Sequence, residues 1–233
     1  MSANPVRLPA LQPLDGVGDP HTLPKFESAA LLTIDVQCDT LDDGGFPIPG
    51  TSTALPAMRR VVAGFRRAAR PIIHVVRIYE RDGANSEPCR RQLLKAGAQL
   101  LIRGTAGCQI AGAILPDPCI KLDERLLLDG GVQALGTEEV AIYKPRWGAF
   151  YRTPLHEHLR EQAVSTVVFA GCNFPHCPRT SIYEASERDF RVVVVRDAIS
   201  GIYERAEREL AGIGVNVMSS DNVIGALAAS GDA

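Results

Sequence analysis

The sequence predicts an α/β protein in which helices cover both faces of a mostly parallel sheet of about six strands. Short apolar runs rich in β-branched residues alternate along the chain with segments whose apolar residues recur at helical spacing. Continuous apolar runs are typical of parallel strands that are buried on both faces. Strands that alternate with helices favour right-handed crossovers between parallel neighbours. Together these patterns predict a three-layer α/β/α, Rossmann-like fold.

The chain divides into an N-terminal arm and one domain. Residues 1–28 are rich in proline and polar residues, which predicts an extended arm, and residues 29–233 form the domain. Apolar runs predict strands at 28–35, 71–77, 139–144, 166–171, 191–197 and 215–218. Helical spacing predicts helices at 54–69, 87–101, 153–163, from 177 onward, at 203–210 and at 220–229. Thr153 is the expected cap of one helix, and Ser220 or Asp221 that of the last.

The composition fits a single globular domain with a full-sized core. The chain has 233 residues, of which 45% are hydrophobic and 22% charged, and its formal net charge is −2. Such a charge provides no basic field for nucleic acid or for an acidic membrane. No apolar run is long enough to span a membrane, and the N-terminus lacks the pattern of a secretory signal. We therefore expect neither nucleic acid nor a membrane as a partner.

The six cysteines are scattered and show no paired C-x-x-C spacing. This spacing predicts neither a disulfide framework nor a structural zinc site, and it fits a reducing, cytoplasmic location. No metal ion or other cofactor is predicted. Cys172 and Cys177 could in principle be cross-linked, but Cys172 is better explained as a small residue where a strand meets a turn.

One cysteine lies where a strand gives way to a helix. The apolar run that begins at Thr166 ends at Gly171, and Pro178 follows Cys177 where a helix is expected to start. The free N–H groups and positive dipole of a helix N-terminus favour a thiolate over a thiol, so Cys177 is a candidate nucleophile. The alternative is that Cys177 is a small buried apolar residue, as most free cysteines are.

Two more ionisable residues end predicted strands. Asp35 ends the first strand and Lys144 the third, and a parallel sheet brings its carboxyl ends to one edge, where both can meet Cys177. A thiolate attacks a carbonyl carbon, a carboxylate can carry the thiol proton to a leaving amine, and an ammonium stabilises both anions. Taken singly, each charge could instead be a solvated strand end or a surface ion pair.

Four spaced motifs resemble the isochorismatase-like cysteine hydrolase superfamily, which includes nicotinamidases and N-carbamoylsarcosine amidohydrolases. They are D-V-Q at 35–37, G-T-A-G-C-Q-I at 104–110, K-P-R-W-G-A-F at 144–150 and G-C-N-F-P-H-C at 171–177. The resemblance runs from about Ala29 to the C-terminal helix, so it implies that residues 29–233 are an isochorismatase-like hydrolase domain.

The resemblance implies a role for each of the three ionisable residues. Cys177 would be the nucleophile, Asp35 the general base and Lys144 their electrostatic partner. The backbone N–H groups of Asn173 and Cys177 would form the oxyanion hole. The family's non-proline cis peptide maps onto the bond between Cys172 and Asn173, where it would aim the Asn173 N–H at the oxyanion.

The resemblance favours cysteine-dependent hydrolysis of a small-molecule C–N bond in an amide, carbamoyl or lactam group, through a thioester. Residues 36–60 contain no His, which disfavours a metal-assisted nicotinamidase, and true isochorismatases lack the cysteine. The start of the Cys177 helix resembles streptothricin-hydrolase-like members, which open a cyclic amide. Residues 111–136 are longer than a typical member needs, which is consistent with a lid or an interface.

Several side chains near the predicted strand ends are candidates for binding the substrate. The candidates are Gln37, Phe46, Trp147, Phe150, Tyr151 and Phe174. Phe174 stands where the family usually has Thr, which alters the pocket wall. Each aromatic residue could instead belong to the ordinary core, and Gln37 could bond a neighbouring loop. Arg77, which ends the second strand, could meet a polar substrate group or form a surface ion pair.

Two functions remain open on the sequence. The first is a hydrolase whose partner is a small-molecule amide, and the second is a catalytically silent binding or scaffold protein on the same fold. The presence of all three ionisable residues, Asp35, Lys144 and Cys177, argues for the enzyme. The apolar helix faces, the N-terminal arm and the superfamily resemblance favour a homo-oligomer, either a dimer or a tetramer.

Overall fold

A computed structural model describes residues 19–230 of the chain. Its sheet has seven strands in the order β3-β4-β2-β1-β5-β6-β7. The strands are β1 (Ala29–Ile34), β2 (Ile72–Val76), β3 (Val132–Gly136), β4 (Glu139–Tyr143), β5 (Thr166–Gly171), β6 (Arg191–Ile199) and β7 (Asn216–Met218). All neighbours are parallel except β3, which pairs antiparallel with β4. The predicted mostly parallel α/β fold is confirmed.

Helices pack on both faces of this sheet and divide the core into two layers. They are α1 (Thr51–Arg67), α2 (Pro88–Lys95), α3 (Glu124–Leu128), α4 (Leu155–Glu161), α5 (Cys177–Ser186), α6 (Glu204–Ala211) and α7 (Ser220–Ala229). Apolar side chains of α1 and α7 form one buried cluster against the sheet. Those of α4, α5 and α6 form the other. The helix α5 that begins with Cys177 is therefore held by the core.

The structure corrects several predicted boundaries. The sheet has seven strands rather than about six, because β3 is a half-exposed edge strand without a continuous apolar run. Helix α2 covers only Pro88–Lys95 of the predicted 87–101. Pro154, not Thr153, occupies the cap position of α4. The Thr153 hydroxyl donates to the carbonyl of Ala149 and also accepts the N–H of Leu155 at 3.4 Å.

The two ends of the described chain also refine the predictions. The side chain of Ser219, rather than Ser220 or Asp221, caps α7 by accepting the Asn222 N–H. Most of the predicted arm, residues 1–18, lies outside the described residues, and the described part of it contains a turn and a short 3-10 helix at Phe26–Ser28. Among residues 19–230, no helix is both long enough and apolar enough to cross a membrane.

The glycine at the end of β5 lets two central strands approach closely. Gly171 pairs with Ile34 of β1 and has a φ of 127°, and an added Cβ would lie 2.3 Å from the carbonyl oxygen of Ile34. We expect Gly171→Ala to lower the free energy of unfolding by about 3 kcal/mol, because a strained φ and an overlap with backbone both oppose the folded state. A urea titration measures this change.

A helical glycine provides the matched control for that substitution. An added Cβ at Gly225, within α7, meets nothing within 4 Å. Gly225→Ala is therefore expected to raise the free energy of unfolding by roughly 0.5–1 kcal/mol, the usual gain in helix propensity. A Gly171→Ala protein as stable as the wild type would contradict the close approach described here.

Candidate active site

The three ionisable residues meet at the carboxyl edge of the central strands. Asp35 follows β1 directly, Lys144 follows β4, and Cys177 begins α5 after the turn that leaves β5. The Nζ of Lys144 lies 2.9 Å from the Oδ2 of Asp35. Since β2 lies between β4 and β1, the lysine side chain reaches across the end of one strand to make this contact. Both charges are buried, which makes the pair far less screened than a surface ion pair.

Asp35 is held in an uncommon backbone conformation. Its φ is 53°, in the left-handed region, which costs a non-glycine residue about 1–3 kcal/mol. Its N–H donates to the carbonyl of Val75, and its own carbonyl accepts a bond from the Cys172 thiol at 3.0 Å. These bonds to neighbouring strands fix the direction in which the carboxylate leaves the sheet. Such strain is often found at functional sites.

The environment of Cys177 favours its neutral thiol. Burial raises the pKa of Cys177, the neighbouring Asp35 carboxylate raises this pKa further, and the Lys144 ammonium lowers it. The net direction is upward, so the expected thiolate at a helix N-terminus is not favoured in the resting protein. Burial lowers the pKa of Lys144, but the attraction of the Asp35 carboxylate and its hydrogen bond outweigh this effect, so the net direction is upward. The lysine is therefore charged at neutral pH.

This electrostatic arrangement predicts slow alkylation of Cys177. At about pH 8 we expect iodoacetamide to modify the exposed Cys89 and Cys119 well before the buried Cys177. Because the pKa of Cys177 is raised, its alkylation rate should keep rising at pH values above the ordinary pKa of a thiol. Peptide mass spectrometry over a pH series measures both rates. Preferential labelling of Cys177 near neutral pH would show that its pKa is depressed instead.

Two backbone N–H groups beside the cysteine are free to bind an anion. Within residues 19–230, the N–H groups of Asn173 and Cys177 make no hydrogen bond. The turn that presents them is fixed by the Phe174 N–H, which donates to Ser200, and by the His176 N–H, which donates to Asn173. An oxyanion hole needs free N–H groups of this kind, and the N-terminus of α5 adds its positive dipole.

The expected cis peptide is not present. No peptide bond among the described residues is cis, so the bond between Cys172 and Asn173 is trans. The trans form is the ordinary state of a non-proline bond, since the cis form costs about 3–4 kcal/mol. In this trans turn Cys172 donates its N–H to Ile34, and Phe174 still reaches Ser200.

A small cavity opens onto these three residues. Its volume is about 30 Å³, far below the several hundred Å³ typical of ligand sites. Five of its lining residues lie at the carboxyl edge of the sheet, and we call this part its inner end: Asp35, Lys144, Cys172, Asn173 and Cys177. A substrate must therefore displace part of the wall as it enters.

The outer wall of the cavity comes from a segment whose role the sequence did not indicate. Arg77, Tyr79, Glu87, Arg90, Leu100 and Leu101 line it, together with Thr40, Ile48 and Trp147. Arg77 does not form a surface ion pair: its Nε lies 3.3 Å from Glu87 and both side chains are buried. The one available signal was the position of Arg77 at a strand end. Glu87 and Arg90 lie at the start of the helix predicted over 87–101, but helical spacing does not indicate which of its side chains reach a cavity.

Only one of the six candidate substrate-binding residues, Trp147, lies on the cavity wall. Gln37 is fully buried and exchanges hydrogen bonds with the backbone of Arg77. Phe46 packs against a small apolar cluster around Tyr79. The remaining three take other positions: Phe150 packs on Phe190, Tyr151 is exposed, and Phe174 is buried against Tyr203. In this structure these five side chains support the fold or face solvent instead of lining the cavity.

The six cysteines are all unpaired, including Cys172 and Cys177. For the part of the chain from 19 to 230, no three His, Cys, Asp or Glu side chains lie close enough together to hold a metal ion. The groups that the structure brings together here are the Cys177 thiol, the buried ion pair and the two free backbone N–H groups.

Comparison with known proteins identifies relatives over most of the chain. A probable inactive nicotinamidase of Arabidopsis thaliana is 29% identical over 179 residues, which cover 75% of this chain and 81% of that protein. The ureidoacrylate amidohydrolase RutB of Methylobacterium radiotolerans is 26% identical over 187 residues, which cover 72% of this chain but only 65% of that protein.

Structural comparison agrees with the sequence relatives. The crystal structure of an isochorismatase family protein from Desulfovibrio vulgaris has a TM-score of 0.73 at 27% identity, covering 86% of this chain and 98% of that one. The model of the isochorismatase domain matches residues 29–221, which include every strand and the whole candidate site. The chain therefore belongs to the isochorismatase family.

Proposed function

We propose that this protein is a cysteine amidohydrolase that cleaves the C–N bond of a small amide, carbamoyl or lactam compound. The observation that carries the proposal is the buried ion pair between Lys144 and Asp35, 2.9 Å long, beside the thiol of Cys177 at the inner end of one cavity. A carboxylate, an ammonium and a thiol in one enclosed place can perform acyl transfer.

In the first half of the reaction, the sulfur of Cys177 attacks the substrate carbonyl carbon. Its proton passes to Asp35, whose Oδ1 has no hydrogen-bond partner within residues 19–230. The free N–H groups of Asn173 and Cys177 hold the oxyanion that forms. Asp35 then gives the proton to the leaving nitrogen, the C–N bond breaks, and an amine or ammonia departs. A thioester with Cys177 remains.

In the second half, water replaces the amine. Asp35 takes a proton from the attacking water, the same two N–H groups hold the second oxyanion, and the C–S bond breaks. The proton returns to the sulfur, so the thiol is restored and a carboxylic or carbamic acid is released. The Lys144 ammonium stabilises the carboxylate and the sulfur anion throughout, without itself losing a proton.

This mechanism is compatible with a raised pKa at Cys177. The thiol need not be ionised before the substrate arrives, because Asp35 accepts the proton as the C–S bond forms. Substrate binding also expels water from the cavity, which strengthens the interactions among the charges. The relative that is named an amidohydrolase supports the same type of reaction, while the substrate of this chain is set by its own cavity wall.

A catalytically silent binding protein on the same fold is the second candidate. Two observations favour it: one relative is named a probable inactive nicotinamidase, and the cavity holds little more than water. On this alternative, Asp35, Lys144 and Cys177 would be kept for stability alone. An assay of amide hydrolysis separates the two functions.

The experiment incubates the protein with a panel of small amides, carbamoyl compounds and lactams, and measures the released ammonia or amine. Samples quenched in acid during turnover are analysed by mass spectrometry for an acyl group on the peptide that contains Cys177. We expect release together with this adduct, and an unchanged result for Cys119→Ala, which alters an exposed cysteine outside the cavity. Release without an adduct on Cys177 would contradict the mechanism, and no release from any compound would favour the silent alternative.

A further inference from the structure

The side chains that line the cavity include more basic than acidic groups. Five charged side chains line it: Asp35 and Glu87 are acidic, and Arg77, Arg90 and Lys144 are basic. Lys144 pairs with Asp35 at 2.9 Å, and Arg77 pairs with Glu87 at 3.3 Å. Arg90 pairs with no acidic side chain among residues 19–230. With Cys177 neutral, the wall carries one excess positive charge.

The neighbours of Arg90 cannot neutralise this charge. Both oxygens of Glu87 are occupied, one by the Nε of Arg77 and the other by the hydroxyl of Tyr79 at 2.8 Å. Nη1 of Arg77 donates to Ile78 and Tyr143 and Nη2 donates to Asn85, so four of its five N–H donors are already used. Arg90 is the opposite case, because its guanidinium makes no hydrogen bond among the described residues, and its Nε is buried. Buried donors without partners are costly, so a ligand that accepts from them is favoured.

Arg90 is also held in a fixed place. Its guanidinium carbon lies 5.1 Å above the centre of the Trp147 ring, and Trp147 lines the same cavity. Stacking on an aromatic face orients the planar guanidinium and leaves its N–H edges free for a planar anion. The arginine therefore faces the space that leads to Cys177 with its charge and its donors unused.

We propose, on the basis of the proposed amidohydrolase function, that the substrate carries a carboxylate beside its scissile amide and that Arg90 binds this carboxylate. One excess positive charge matches one carboxylate, whereas a phosphate carries more negative charge at neutral pH than this wall balances. The flat carboxylate also fits the fork of a guanidinium in a bidentate manner. Arg90 thus determines specificity: it selects an acid amide and orients its carbonyl toward the thiol.

The experiment compares each acid amide with a neutral partner of the same length. The substrates are the monoamides of oxalic, malonic and succinic acid and the methyl esters of the same monoamides, scored by release of ammonia. The wild-type protein should prefer the acids. In Arg90→Gln, the ratio of kcat/KM for acid over ester should fall roughly ten- to one-hundredfold, mainly through KM, which is the usual range for a lost hydrogen bond to a charged group. Arg90→Lys should restore part of that ratio, since it keeps the charge but loses the fork.

Arg91→Gln is the matched control, because Arg91 is the next residue of α2 and is exposed. It removes the same charge from the same helix and should leave the ratio unchanged. A wild-type protein that prefers the esters, or an Arg90→Gln protein whose ratio matches the wild type, would overturn the role of Arg90 while leaving the amidohydrolase function in place.

A binding measurement separates failure of this inference from failure of the proposed function. Calorimetry measures the affinity of the succinic monoamide for Cys177→Ala and for Cys177→Ala combined with Arg90→Gln. If no compound releases ammonia, the proposed function fails. Weaker binding to the double variant then still supports the carboxylate site at Arg90, and equal or undetectable binding to both proteins overturns it.

Discussion

Replacing Cys177 with alanine is expected to lower kcat for amide hydrolysis by about a millionfold, the scale of loss found when the nucleophile of a coupled catalytic group is removed. Asp35 and Lys144 remain in the variant, but neither can form the thioester that divides the reaction into two steps. Initial rates of ammonia release, measured on the best compound of the panel, give the ratio. A Cys177→Ala protein that keeps even a tenth of the activity would exclude Cys177 as the nucleophile.

The fold of this variant should stay close to that of the wild type. Cys177 is a small residue at the first position of α5, and its side chain is 8% exposed, so its removal leaves little empty space. We expect a change in the free energy of unfolding of about 1 kcal/mol or less. Asp35→Asn provides a graded comparison, since the loss of a general base typically lowers the rate by about 10²–10⁴. Equal losses in the two variants would mean that Asp35 and Cys177 act as one unit, so that removing either abolishes the same step.

The sequence predicted the inner end of the site better than its outer wall. Asp35 and Lys144 follow buried strands whose apolar runs are unambiguous, and Cys177 follows a strand, a glycine and a turn. A parallel sheet brings such positions together whatever the loops do. The outer wall is different, because Glu87 and Arg90 reach the cavity through a loop that follows β2 and the short helix α2. Helical spacing predicts a helix near these residues but not the loop that places it against the cavity.

The aromatic candidates also show that the sequence predicts the place of a residue better than the direction of its side chain. Phe150 and Phe174 lie near the predicted strand ends, yet each turns toward the apolar layer beneath α5. An aromatic side chain buries a large area wherever the core offers room, so its position in a loop does not reveal which way it points. Trp147 reaches the cavity, where it lies beneath the Arg90 guanidinium. Edge strand β3 was missed for a related reason: with half of it exposed, its sequence lacks the continuous apolar pattern of the central strands.

Lys144→Met is expected to lower the free energy of unfolding by about 3–5 kcal/mol, the usual cost of leaving one buried charge without its partner. Lys144 and Asp35 are both almost fully buried, and the Oδ1 of Asp35 already lacks a hydrogen-bond partner within the described residues. Methionine fills nearly the same volume, so the loss reports the charge rather than a cavity. Urea denaturation at neutral pH measures it, with Lys121→Met, at an exposed lysine, as the control.

The pH at which this effect appears follows from the raised pKa of Lys144. A base whose pKa is higher in the folded protein contributes stability that is complete below its unfolded value, near 10.5, and is lost as the pH rises through the folded value. The difference between Lys144→Met and the wild type should therefore be complete at neutral pH and shrink only in strong alkali. Combining Lys144→Met with Asp35→Asn removes both charges, and the double variant should regain most of the lost stability while remaining inactive. If the double variant is instead as unstable as Lys144→Met alone, the lysine stabilises the fold through packing, and the electrostatic account of the pair is wrong.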